Sequence, residues 1–103
     1  MNIGRFQLEN LLSAGVKFLF IDLRSEDERT SGAHALFSKA MPMAVDELKA
    51  NLSQNQVPLD APILLLDQNG LNSDRVAQEL ESLSFKNVYV IRGGAAQILS
   101  ESI

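Results

Sequence analysis

The sequence contains no cysteine. That absence excludes a disulfide, a thiolate metal site and a thiol nucleophile supplied by the chain itself. Cations are scarce too: nine Lys and Arg stand against thirteen Asp and Glu, a formal net charge of −4. No Lys/Arg cluster is present to neutralise phosphates, which argues against a nucleic-acid partner. The apolar runs fall far short of a membrane span, and the N-terminus lacks a basic-then-apolar signal pattern. No membrane partner is expected, and the default is a soluble, cytoplasmic protein. Internal repeats, low-complexity tracts and linkers long enough to separate domains are also missing. What remains is 103 residues, 46% apolar and 21% charged. That is ordinary globular usage and enough chain for one real core but not two. The expectation is one domain over residues 1–103. The Met1 start and a close soon after the last helical pattern fit a free-standing module.

Residues 5–14, RFQLENLLSA, place Phe6, Leu8, Leu11 and Leu12 near one helical face, with Gly15 as the C-terminal cap. KFLFIDLR is a short apolar run ending in charge, which suits a strand buried on both sides in a parallel sheet. In SEDERTSG, Ser25 caps a helix with acids in its first turn and Gly32 stops it. Pro42, in AHALFSKAMPM, argues against a central strand there. AVDELKANLSQ spaces Val45, Leu48 and Leu52 at helical intervals, and NQVPLDAP reads as an extended surface connection. ILLL is a second buried strand. SDRVAQELESLSF is the clearest helix, with Val76, Ala77, Leu80 and Leu83 on one face. NVYVI is a third strand, ended by Gly93 and Gly94, and AAQILSES a terminal helix. Alternating strand and helix throughout predicts an α/β fold, a mainly parallel sheet with helices on both faces. Ligands of such sheets bind beyond the carboxyl ends of the strands. Two strand ends carry acids, FIDLR and LLLDQNG.

Asp67 closes ILLL, and a helix is expected to start about five residues later. The intervening QNGLNS can curl so that backbone N–H groups point inward at a helix N-terminus, an arrangement that receives an anion. Here the loop brings its own carboxylate. Structurally, Asp67 or Ser73 satisfies loose N–H groups and caps the helix; functionally, Asp67 is an active-site carboxylate. The lone residue leaves both open.

With those residues in view, the sequence resembles rhodanese-like domains. Their early I-D-x-R-x-x-x-E stretch is matched by IDLRSEDE at 21–28, with Ile21, Asp22, Arg24 and Glu28 in place and Gly32 following. Their late motif is a strand, a C-x-x-G-x-R-S loop opening a helix, then GFxNVYxLxGG. It is met by LLLDQNGLNS and SFKNVYVIRGG, ending on Gly93 and Gly94. The resemblance runs from about residue 5 to residue 98. It implies a single rhodanese-like domain with about five strands, two weaker ones lying around MNIG and AMPM.

The resemblance also implies that Asp67 stands where the family's persulfide-forming cysteine would be. Gly70 and Ser73 match the family loop, while Asn72 replaces its arginine. A carboxylate oxygen cannot carry sulfane sulfur, and its charge would repel thiosulfate entering the same bowl. Losing the arginine removes a cation that would hold that anion. No catalytic residue is therefore assigned. Asp67, Gln68, Asn69, Gly70, Leu71, Asn72 and Ser73 are the candidate loop for anion binding; Asp22, Arg24, Glu28, Gly93 and Gly94 are structural. Arg24 and Glu28, four apart near a helix start, are read as an ion pair worth under ~1 kcal/mol if exposed. The family's histidine after the glycine is displaced, since Ala33 stands there and the only histidine is His34. His34 is read as a surface or half-buried residue rather than a catalytic one. The segment from Gly32 to Ala40 runs about two residues longer than usual, and Ile98 matches the family's late tryptophan with another apolar side chain.

The expected function is that of a catalytically inactive rhodanese-like module: a binding, regulatory or sulfur-relay accessory domain, with another protein as partner. No cofactor and no metal are expected. The alternative is an aspartate-dependent, phosphatase-like hydrolase using Asp67, because haloacid-dehalogenase-type enzymes also place an Asp after an apolar strand. They resemble D-x-D, however, and the second position here is Asn69. Phosphoryl transfer also needs a magnesium cluster and a lysine, and no such grouping of acids accompanies Asp67. DQNGLNS is faintly similar to the DSSG turn of anti-sigma antagonists, in which IDLRSEDE and the double glycine have no place.

Overall fold

The structure is a computed structural model and describes residues 1–101. Strand and helix alternate from the start: β1 (Asn2–Ile3), α1 (Arg5–Ser13), β2 (Leu19–Asp22), α2 (Glu26–Ser31) and a 3₁₀ turn at Ala35–Phe37. There follow β3 (Met41–Pro42), α3 (Val45–Gln54), β4 (Ile63–Leu66), α4 (Leu71–Ser82), β5 (Val88–Ile91) and α5 (Gly94–Ser100). The five strands form one sheet in the order β1-β5-β4-β2-β3, and every pairing is parallel.

Helices cover both faces, which is why ILLL needs no polar alternation. Ile63 and Leu65 join Leu48 and Leu52 of α3 and Val76, Ala77 and Leu80 of α4 on one side. Leu64 and Leu66 join Leu8 of α1, Phe37, and Ala95 and Ile98 of α5 on the other. The two weak strands lie where the family resemblance put them, each two residues long and each on an edge. At the edge Pro42 can lack an N–H without leaving a central strand unpaired.

Two apolar residues expected on buried faces lie outside. Phe6 is 73% exposed, because α1 turns Leu8 inward and a residue two positions away points to the opposite side. Leu83 is 56% exposed: the helix stops at Ser82, and Phe85 packs against the core in the next stretch. The start of α4 also differs, falling at Leu71 with Gly70 as the capping residue rather than at Ser73. His34 is half-buried, and its Nδ1 accepts the Leu36 N–H at 3.0 Å, capping the 3₁₀ turn. Among the described residues no helix is long and apolar enough to cross a membrane.

Candidate functional site

The strand β4 delivers Asp67 to the carboxyl edge of the sheet, where the residue is 3% exposed. One carboxylate oxygen, Oδ1, accepts the Gly70 N–H at 2.8 Å and the Ser73 hydroxyl at 2.7 Å. The other, Oδ2, accepts the Asn72 N–H at 2.9 Å. Between them, the Leu71 N–H donates to Asn69 Oδ1 at 3.0 Å. The N–H groups that open α4 are thus met by side chains of the loop itself. The turn needs a left-handed residue, and Gly70 supplies it at φ 89°.

The loop is clamped from behind by the start of α5. The Ala95 N–H donates to the Asp67 carbonyl at 2.8 Å and the Ala96 N–H to the Gln68 carbonyl at 2.9 Å. This close approach requires Gly94, since a Cβ there would lie 2.6 Å from the Asp67 carbonyl oxygen and 2.7 Å from the Asn69 nitrogen. The double glycine is therefore a mould for the loop. Ser73 is fully buried, whereas Asn69, Leu71 and Asn72 are exposed; Gln68 is half-buried, and its Oε1 has no hydrogen-bond partner among the described residues. Arg75, which the loop motif did not flag, reaches back so that its Nη2 donates to Asn72 Oδ1 at 3.2 Å. Its position three residues on, one helical turn away, was the available signal.

A second cluster stands at the end of β2. Arg24 Nη2 lies 2.9 Å from Asp22 Oδ2, and Arg24 Nε donates to Asp22 Oδ1 at 3.0 Å. The guanidinium also donates to the Gly32 carbonyl at 3.0 Å and sits 5.0 Å from the centre of the Phe37 ring. Both charged side chains are almost wholly enclosed. The Arg24–Glu28 ion pair expected from the sequence does not form. Glu28 Oε1 instead accepts the Ser25 N–H at 3.0 Å, and Ser25 Oγ accepts the Glu28 N–H at 3.2 Å. That reciprocal cap occupies the carboxylate, and Arg24 meets Glu28 only through its backbone carbonyl. A planar fork matches the Asp22 carboxylate two residues away better than it could reach a side chain already committed.

Among the described residues no group of three or more His, Asp or Glu could hold a metal ion. Together with the three hydrogen bonds that hold the Asp67 carboxylate in the loop, this leaves the phosphatase-like alternative without support.

The parallel five-stranded sheet with helices on both faces is the architecture of a rhodanese-type α/β domain. The model of the rhodanese-like domain family matches residues 7–101, and the chain belongs to that family. A curated relative, uncharacterized protein YqhL of Bacillus subtilis (strain 168), is 32% identical over 78 residues, which are 76% of this chain and 58% of that protein. The chain thus spans less than two thirds of that relative's length. A rhodanese-like domain protein from Staphylococcus aureus superposes with a TM-score of 0.73 at 21% identity, over 93% of this chain and 88% of that one. A thiosulfate sulfurtransferase from Pseudomonas aeruginosa gives 0.75 at 21% identity, over 97% of this chain and 18% of that one. At such identities the structural likeness is one of fold.

Proposed function

We propose that this chain is a catalytically inactive rhodanese-like module that binds another protein, as a regulatory or sulfur-relay accessory domain. One observation carries the reading. Asp67, which the sequence resemblance puts where the family's persulfide cysteine would be, is a carboxylate, and it takes the Gly70 and Asn72 N–H groups of the loop for itself. A donor anion such as thiosulfate finds no nucleophilic sulfur there, the Gly70 and Asn72 N–H groups are already taken, and it meets a like charge. What the loop still offers is a rigid, exposed rim, with Leu71 72% exposed at its tip. A module stripped of chemistry but still tightly built is suited to recognition.

The purified protein is expected to produce no thiocyanate from thiosulfate and cyanide above the uncatalysed blank. Enzyme-dependent thiocyanate would sink the proposal. The binding half is tested by capture from the native host with the wild type and with Leu71→Asp. A partner retained by the first and lost by the second supports it. Equal retention by both would show that the loop rim is not the recognition surface.

A further inference from the structure

At the amino ends of the strands, remote from the Asp67 loop, a cavity of ≈ 450 Å³ lies between α1 and the sheet. Its floor includes Leu64 of β4, which pairs across the sheet with Tyr89 of β5, and Phe18 just before β2. Its roof includes Asn10, Leu11 and Ala14, three positions of one helical stripe. The space exists because α1 runs out above it. Leu8 is fully buried in the earlier turn, but Ala14, at the end of the helix, brings only a methyl group.

Two features specify what could enter. None of the lining residues is Asp, Glu, Lys, Arg or His, so a charged group would lose its water with no partner to replace it. The exceptions to the apolar lining are amides and the Tyr89 hydroxyl. The Asn10 amide and that hydroxyl make no hydrogen bond among the described residues. Small-molecule pockets of roughly 300–1,000 Å³ are mostly apolar with a few polar groups that fix orientation; this one lies at the small end. Phe18 and Tyr89 flank an aliphatic floor, against which a flat ring can lie in offset contact.

We propose that this cavity binds a neutral aromatic small molecule, whose hydroxyl, carbonyl or N–H group meets Tyr89 or Asn10. The site is independent of the Asp67 loop and of the function proposed for it.

The full chain is titrated with N-phenylnaphthylamine, a neutral dye that brightens on entering an apolar site. One saturable site per chain is expected. Naphthol should displace the dye at concentrations about tenfold lower than naphthoate, which adds a charge, or decanol, which lacks the rings. Ala14→Phe fills the cavity from the roof and Val16→Trp, at the half-exposed rim, closes its mouth. With an unchanged circular-dichroism spectrum, at least one of them should weaken the dye about tenfold or more. Tyr89→Phe should weaken naphthol about fivefold, as loss of one neutral hydrogen bond does, and leave naphthalene unchanged. Unsaturable dye binding, or equal affinity in the wild type and both filling variants, would overturn the site. Equal displacement by naphthoate or decanol would overturn the ligand class.

Discussion

Asp67 answers three donors with two oxygens, and its removal strands two of them in a buried setting and the Asn72 N–H in a partly buried one. Unsatisfied buried donors cost about 1–3 kcal/mol each, with relaxation and water recovering some of the sum. Asp67→Ala should therefore lower unfolding stability by about 2–3 kcal/mol, more than the ~1 kcal/mol typical of an exposed cap. Urea denaturation at neutral pH checks this; a neutral or stabilising result would mean that the carboxylate is strained in place. Arg24 and Glu28 provide a second contrast. Arg24→Ala leaves the Asp22 carboxylate buried without its countercharge, held only by the N–H of residue 24 at 3.0 Å, for which about 3–5 kcal/mol is expected. Glu28→Ala loses one half of an exposed reciprocal cap and should cost about 1 kcal/mol or less. Similar losses in the two variants would instead restore the Arg24–Glu28 pair read from the sequence. That misreading has a physical origin. Spacing by four brings side chains together on a helix, but α2 begins only at Glu26, after Arg24. The motif residues were legible; their pairing was not.

Elements were legible where burial imposes a pattern. LFID and ILLL declare themselves because helices on both faces leave little room for polar side chains. The edge strands β1 and β3 span two residues each, too few for any period to show, and only the family resemblance placed them. The early start of α4 was hidden for another reason: its capping carboxylate comes from Asp67, before the loop, rather than from the residue next to the helix. Contacts between helices are hidden in the same way. Lys49 of α3 and Glu79 of α4 form an ion pair thirty positions apart in sequence. The hydrogen bond to the Lys49 ammonium, helped by the charges of Lys49 and Arg75, holds the Glu79 carboxyl below its ordinary value of 4.5, against a smaller opposing effect of desolvation. A lowered folded-state value contributes stability above the unfolded one and loses it as pH falls through the folded value. The contribution of Glu79 is thus present above about pH 4.5 and fades below it. Because both side chains are about two-fifths exposed, the effect should be small and salt-sensitive. Lys49→Ala and Glu79→Gln should each flatten the acid limb of the stability–pH curve slightly. The difference from wild type should vanish in 1 M salt, where screening acts within about 3 Å. A difference that survives salt would assign the acid limb to other carboxylates.

At the scale of the whole molecule, the sheet and its two cores are those of a rhodanese-like domain, while the loop at the end of β4 carries Asp67 and the chain has no cysteine. Whether the scaffold could still perform sulfur transfer is a question about the molecule rather than about one side chain. Asp67→Cys would place a thiol against the Gly70 and Asn72 N–H groups at the start of α4, a setting that favours the thiolate. The incoming anion would still lack a guanidinium, because Asn72 is neutral and Arg75 is engaged with its side chain. A charge-assisted contact is worth about 1.5–3 kcal/mol, or roughly one to two decades in affinity. Adding Asn72→Arg supplies it, less a few tenths of a kcal/mol for placing two arginines one helical turn apart. The single variant should acquire sulfur from thiosulfate slowly and pass it to cyanide at a barely measurable rate. The double variant should exceed it at least about tenfold in kcat/KM for thiosulfate. A mass gain of one sulfur atom on the cysteine-bearing chain would confirm the persulfide. No gain from the second substitution would mean that the loop does not form an anion bowl here, or that the longer Gly32–Ala40 segment closes its entrance. Either outcome would reduce the kinship of this loop with the family to fold alone.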